Sequence, residues 1–148
     1  MKIAIGSDHA GLSLKKHITK YLNEKGYEIQ DFGAYSETSC DYTDYAIKVA
    51  KDIKSGNSDR GILVCGTGIG ISIAANKISG IRAALCGDTF SAHASREHNN
   101  ANVLALGGRV VGVGLALDIV DIFLNTEFEG GRHQKRLDKI IEIESSEY

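Results

Sequence analysis

Along the chain, short apolar runs alternate with longer stretches in which apolar residues recur every three or four positions. Unbroken short runs suit strands buried on both faces, whereas the longer period suits helices with one face turned inward. Lys2–Ile5 reads as the first strand, followed by the loop Gly6-Ser7-Asp8-His9-Ala10-Gly11. Leu14, Ile18, Tyr21 and Leu22 mark a helix that stops at Gly26. Tyr27–Phe32 is the second strand, and the polar stretch from Gly33 to Asp41, which carries Cys40, is a loop. Tyr45, Ala46, Val49, Ala50 and Ile53 form the next helical stripe, closed by Gly56. Gly61–Val64 is the third strand, and Ile71, Ile73, Ala74, Ala75 and Ile78 then place a helix from about Gly70. Ile81–Cys86 is the fourth strand, after which Asp88 is placed to cap a helix running to about Glu97. Val103–Leu106 is the fifth strand, Val113 to Leu124 an apolar helix, and a last helix after Gly130-Gly131 carries Leu137, Ile140 and Ile141 on one side.

Strands alternating with helices of this length predict an α/β fold: a doubly wound, Rossmann-like, five-stranded parallel sheet with helices on both faces and an extra C-terminal helix. The expected strand order is the flavodoxin-like 2-1-3-4-5, with the switch point between strands 1 and 3. No linker, repeat or low-complexity tract divides the chain, so residues 1–148 are expected to form one domain. Ligands in such folds bind beyond the carboxyl ends of the strands at the switch point. There the sequence puts Ser7-Asp8-His9-Ala10-Gly11 and Cys65-Gly66-Thr67-Gly68-Ile69-Gly70, its two most chemically loaded loops.

Composition narrows the classes of partner. Hydrophobic residues make up 43% and charged residues 24%, ordinary values for a globular protein. A net charge of −2 gives no reason to expect nucleic acid or an anionic membrane as partner. No apolar run approaches membrane-spanning length, and Lys2-Ile3 leads into a strand without room for a signal peptide. The cysteines are odd in number, at 3, and two of them close predicted strands, so a reduced, cytoplasmic protein is expected.

Each candidate group has a plain structural reading beside its functional one. Alternating glycines after a strand exceed what a turn needs, and the free N–H groups of a helix start attract negative charge, which favours an anion cradle. Cys65 is either a small buried hydrophobe or a nucleophile or base, and thiols beside helix N-termini carry more thiolate than free cysteine. Asp8 can cap the first helix, but Asp8 and His9 together on a switch-point loop point to ligand contact. His98-Asn99-Asn100 reads from the residues alone as a helix end and turn. Arg132 and Arg136 are spaced i, i+4 away from the apolar side of the last helix, as either a solvated basic face or an oxyanion clamp.

Four motifs carry a resemblance: Lys2-Ile-Ala-Ile-Gly-Ser-Asp-His-Ala-Gly11, Cys65-Gly-Thr-Gly-Ile-Gly70, Ser95-Arg-Glu-His-Asn99 and Ala105-Leu-Gly-Gly-Arg109. In order and over essentially the whole chain, they resemble the signatures of B-type ribose-5-phosphate isomerases, in the superfamily of the galactose-6-phosphate isomerase subunits. The resemblance implies interconversion of ribose 5-phosphate and ribulose 5-phosphate through a cis-enediolate, without metal or organic cofactor. It implies Cys65 as the base, His98 as the acid that helps open the sugar ring, and Thr67 as a further catalytic donor. It also implies that Asp8, His9, Gly66, Thr67, Gly68, Ile69, Gly70 and Asn99 contact the sugar, and that His9, Arg109, Arg132 and Arg136 hold the phosphate. Some relatives use a glutamate just after the glycine loop as base; here that position is Ile71, which puts the chain with the cysteine-using branch.

The resemblance further implies a homodimer with active sites formed between subunits. The predicted fold agrees, because Cys65 ends a strand while His98 follows the helix that runs back to the opposite edge. Other readings are a six-carbon isomerase acting on allose 6-phosphate or galactose 6-phosphate, a nucleotide-dependent enzyme, and a phosphate- or nucleotide-binding sensor domain. The glycines are spaced G-x-G-x-G rather than G-x-G-x-x-G and no Walker lysine follows them, which argues against a nucleotide.

Overall fold

The computed structural model describes residues 1–146 and shows a five-stranded, wholly parallel sheet with helices on both faces. The elements are β1 (Lys2–Ser7), α1 (Leu12–Glu24), β2 (Glu28–Asp31), α2 (Tyr42–Lys54), β3 (Arg60–Cys65) and α3 (Ile69–Ala75). They continue with β4 (Ala83–Leu85), α4 (Thr89–Glu97), β5 (Val103–Gly107), α5 (Val113–Asn125) and α6 (Arg132–Ser145). All eleven lie where the hydrophobic pattern put them, to within a few residues at their ends.

The strand order differs from the expected one. It is β2-β1-β3-β5-β4, with β5 inserted beside β3 and β4 displaced to the edge. Burial explains the exchange. Every residue of β5 is buried, which only an interior position with helices on both sides can satisfy. The fourth strand is shorter than expected: Ala83–Leu85 alone pair, half exposed, as an edge strand can be. The switch point between β1 and β3 is unaffected.

Two apolar layers flank the sheet. Ile3, Ile5, Ile62, Val64, Leu104 and Leu106 point to the face covered by α1, α4 and α5, where Ile18, Ile119 and Phe123 are fully buried. Ala4, Leu63, Cys65, Val103 and Ala105 point to the other face, against Val49 and Ala50 of α2 and Ile71 of α3. Adjacent residues of each strand thus serve opposite layers, as the pleat requires. The helix α6 lies past the edge strand, where Glu144 accepts hydrogen bonds from Gly80 N (3.0 Å) and Ser79 Oγ (3.3 Å). No helix among the described residues is long and apolar enough to cross a membrane.

Candidate active site

The carboxyl edge at the switch point is built from backbone. Cys65 is the last residue of β3 and is buried. The chain then turns through Gly68, whose φ of +78° belongs to glycine's left-handed region; a Cβ there would lie 2.9 Å from the Leu106 carbonyl carbon. This turn aims the Gly68 N–H at Cys65 Sγ, 3.1 Å away. Thr67 Oγ1 accepts from Ile69 N at 3.3 Å, which leaves its hydroxyl proton to donate elsewhere. The loop after β5 is stitched to the same turn, since Gly108 N donates to the Cys65 carbonyl (2.8 Å) and Arg109 N to that of Gly66 (2.9 Å). A Cβ on Gly66 would stand 3.3 Å from Arg109 Nη1, so this guanidinium lies directly over the loop.

The loop after β1 closes the site from the other side. Asp8 is buried and accepts from Gly11 N at 2.9 Å, while Asp8 N donates to the Val64 carbonyl one residue before Cys65. The two loops touch so closely that a Cβ on Gly11 would collide with that same carbonyl. Cys40 N donates to His9 Nδ1 at 3.2 Å, so Nε2 carries the ring proton of a neutral His9. The Cys40 thiol lies 3.8 Å from the same nitrogen, and its hydrogen bond to Tyr45 pushes that phenol up to about 12. Beneath, buried Lys15 donates to Asp31 (2.7 Å) and to the Ala34 carbonyl (2.8 Å), fastening the end of β2 and the loop after it against α1.

A second cluster sits at the opposite edge. His98 caps the C-terminus of α4, and Asn102, four residues on, accepts from Gly61 N at the start of β3. From Gly61 to Cys65 the strand climbs roughly 13 Å. His98 and Asn99 are therefore remote from Cys65 of the same chain, as the predicted path of the helix required. Arg132 and Arg136 are exposed on the first turns of α6, and Arg132 Nε lies 3.3 Å from His133 Nε2. The His133 ring stacks on that of His98, with centroids 4.3 Å apart and planes 11° from parallel. Among the sequence-predicted residues, one chain thus unites Asp8, His9, Cys65, Gly66–Gly70 and Arg109, and separately His98, Asn99, Arg132 and Arg136.

All three cysteines are free. They differ in setting: burial pushes the Cys86 thiol up to about 11, Cys40 is half-buried beside His9, and Cys65 alone faces the glycine loop. His98, Glu129 and His133 place potential metal-ligand atoms within 4.8 Å of one another. Nearly parallel rings, however, direct their in-plane lone pairs side by side rather than at a common point, and the Arg132 guanidinium occupies the same side of His133. That arrangement fits a stacked pair better than a metal centre. His133, Glu129 and Glu97 did not stand out in the sequence. The available signal was spacing, since His133 precedes the core residue Leu137 by one helical turn and shares its burial.

A cysteine and a glycine-lined loop at the switch point of a doubly wound parallel sheet define a class of α/β protein that holds small ligands at the carboxyl edge of its strands. The profile of the Ribose/Galactose Isomerase family matches residues 3–140. The chain belongs to that family. It is 53% identical to "Ribose-5-phosphate isomerase B" of Escherichia coli (strain K12), over 97% of this chain and 96% of that one. A solved structure of Clostridium thermocellum ribose-5-phosphate isomerase B superposes with a TM-score of 0.97 at 60% identity, covering 98% of both chains. The Mycoplasma genitalium ribose-5-phosphate isomerase B, solved with bound ribulose 5-phosphate, superposes at 0.94 with 47% identity, over 99% of this chain and 97% of that one.

Proposed function

We propose that this chain is an aldose–ketose isomerase interconverting D-ribose 5-phosphate and D-ribulose 5-phosphate. The observation that carries the reading is Cys65 facing the Gly66–Gly70 loop in a chain of this family, with relatives of the same length that carry that activity in their names. Ribose 5-phosphate is mostly a closed furanose, so the ring opens first. An acid delivers a proton to the ring oxygen as the anomeric hydroxyl gives one up, a task that suits an imidazole near neutral pH, and His98 is assigned to it. Cys65 then removes the C2 proton and returns it to C1, while a proton passes from O2 to O1. The cis-enediolate between these steps carries negative charge that the loop N–H groups and the Thr67 hydroxyl can hold without reorganising. Asp8, His9 and Asn99 contact the sugar hydroxyls.

Arg109, Arg132 and Arg136, with His9, hold the phosphate, because a guanidinium fork matches phosphate oxygens. Supplying His98, Asn99, Arg132 and Arg136 beside Cys65 takes a second copy of the chain related by a two-fold axis, in a dimer with two shared sites. Exposed Ile69, Leu85 and Val110 border the glycine loop and give such a copy an apolar surface to cover. A place in the cytoplasm fits such an enzyme. The test is turnover of ribose 5-phosphate with no cofactor added, followed by ketose absorbance, alongside free ribose and allose 6-phosphate. The reading expects ribose 5-phosphate to be much the best of the three. Equal rates with free ribose would remove the phosphate role, and faster turnover of the six-carbon sugar would move the assignment.

A further inference from the structure

His98 is held in a closed circuit of four contacts that no step of the chemistry requires. Glu97 Oε2 lies 3.3 Å from His98 Nε2, close enough to pair with the imidazole edge. The His133 ring covers the imidazole from one face, 4.3 Å away and 11° from parallel. His133 is itself buried and fixed by Glu129, whose Oε2 lies 3.1 Å from its Nε2. The Glu129 backbone N–H, in turn, donates to the Glu97 carbonyl at 3.0 Å. The circuit runs 97, 98, 133, 129 and back to 97, joining the end of α4 to the start of α6.

The form of this circuit is informative. A histidine needed only to end a helix would do so from the solvent; the side chain of His98 is 40% exposed, yet one face of its ring and its Nε2 are occupied. Burying an imidazole such as His133 costs free energy unless partners satisfy it, and Glu129 and Arg132 both reach its Nε2, Glu129 the closer of the two. The stacked face restrains the tilt of the His98 ring and the carboxylate at Nε2 restrains its rotation, while the exposed part of the side chain remains accessible to a ligand. Proton transfer to a ring oxygen depends on distance and direction, so restraint of this kind bears on rate.

We infer that His133, tethered by Glu129, is a positioning residue that sets the orientation of His98 for opening the sugar ring. The inference rests on the ring-opening reading of His98 given above. His133 makes no contact with the sugar in this account; it acts through His98 alone. Two consequences separate this role from a structural one. Removing His133 slows turnover of the cyclic substrate without weakening a ligand that has no ring to open. It also has no further effect once His98 is gone.

The experiment compares His133→Ala, Glu129→Ala, Glu129→Gln, His98→Ala and the double variant His98→Ala/His133→Ala. The readouts are kcat and KM for ribose 5-phosphate, dimer mass, and the Kd of an acyclic four-carbon phosphorylated aldonate, which resembles the enediolate. His133→Ala is expected to lose roughly tenfold or more in kcat, the scale on which misplaced catalytic groups act. Its Kd for the aldonate should stay within about twofold of wild type, and the double variant should be no slower than His98→Ala alone. Glu129→Gln, which still accepts a hydrogen bond, should keep most of the activity that Glu129→Ala loses. Wild-type kcat in His133→Ala, with His98→Ala slow, would overturn the positioning role and leave His98's own role standing. Loss of dimer or of aldonate binding in step with kcat, or losses that add fully in the double variant, would also overturn it, by assigning His133 to the fold or to the Arg132 side. Wild-type turnover in His98→Ala would instead remove the ring-opening reading itself.

Discussion

The two edges of the sheet carry different kinds of chemistry. At the carboxyl edge, backbone amides and a buried thiol form the centre, with Asp8, His9 and Arg109 around them, held by turns whose close approaches leave no room for a Cβ at Gly11 or Gly68. At the amino edge they are long or ring-shaped side chains on the ends of α4 and α6, partly exposed and held by one another. Donors fixed by the main chain cannot reorganise when charge develops, which suits them to an enediolate. Side chains on helix ends can reach out from one molecule into another, which suits them to recognition and to proton transfer across an interface. The comparison teaches that one chain carries two unlike clusters of candidate groups at opposite edges of its sheet.

Substitutions can break that comparison in order of expected effect. Cys65→Ala should cost a factor of about a hundred to ten thousand in kcat, the usual loss for a general base, while thermal unfolding changes little. Full activity would move the base to another group of the carboxyl edge, with Asp8, His9 and Thr67 first to be tried. Gly68→Ala should damage stability and rate together, with about 1–3 kcal/mol lost to the left-handed backbone alone, because the same turn shapes the fold and aims an amide at the sulfur. A stable, slow Gly68→Ala would mean that the turn serves the chemistry only. Arg132→Ala should raise KM by about an order of magnitude, at constant kcat and unfolding temperature, as expected for loss of one charge-assisted phosphate contact. A fall in its unfolding temperature would show the amino edge to be as tightly bound into the fold as the other.

The carboxyl edge was largely legible from the residues themselves, whereas at the amino edge His98 and Asn99 entered only through the family resemblance and their neighbours did not stand out, for a physical reason. Asp8, Cys65 and Gly66–Gly70 are contiguous in short loops, and the position of such loops follows from strand–helix alternation alone. His98 and His133 stand 35 residues apart on different helices, and nothing local in either helix announces that their rings meet. Strand order failed for a related cause. Ile81–Cys86 is longer than Val103–Leu106 and, Arg82 apart, as apolar, but Ile81 and Cys86 lie outside the paired segment, which leaves Ala83–Leu85 as a short edge strand. Pairing is decided by competition between whole strands for the interior, a property no window of sequence contains.

The most direct test of the shared site is complementation between the two clusters. Cys65→Ala and His98→Ala are each expected to be nearly inactive as homodimers. In a mixed dimer one site carries both lesions and the other carries neither, so about half the wild-type rate per dimer should return, as a two-fold interface requires. Purified mixed dimers as inactive as their parents would contradict the account, because His98 would then not act on the Cys65 of its partner.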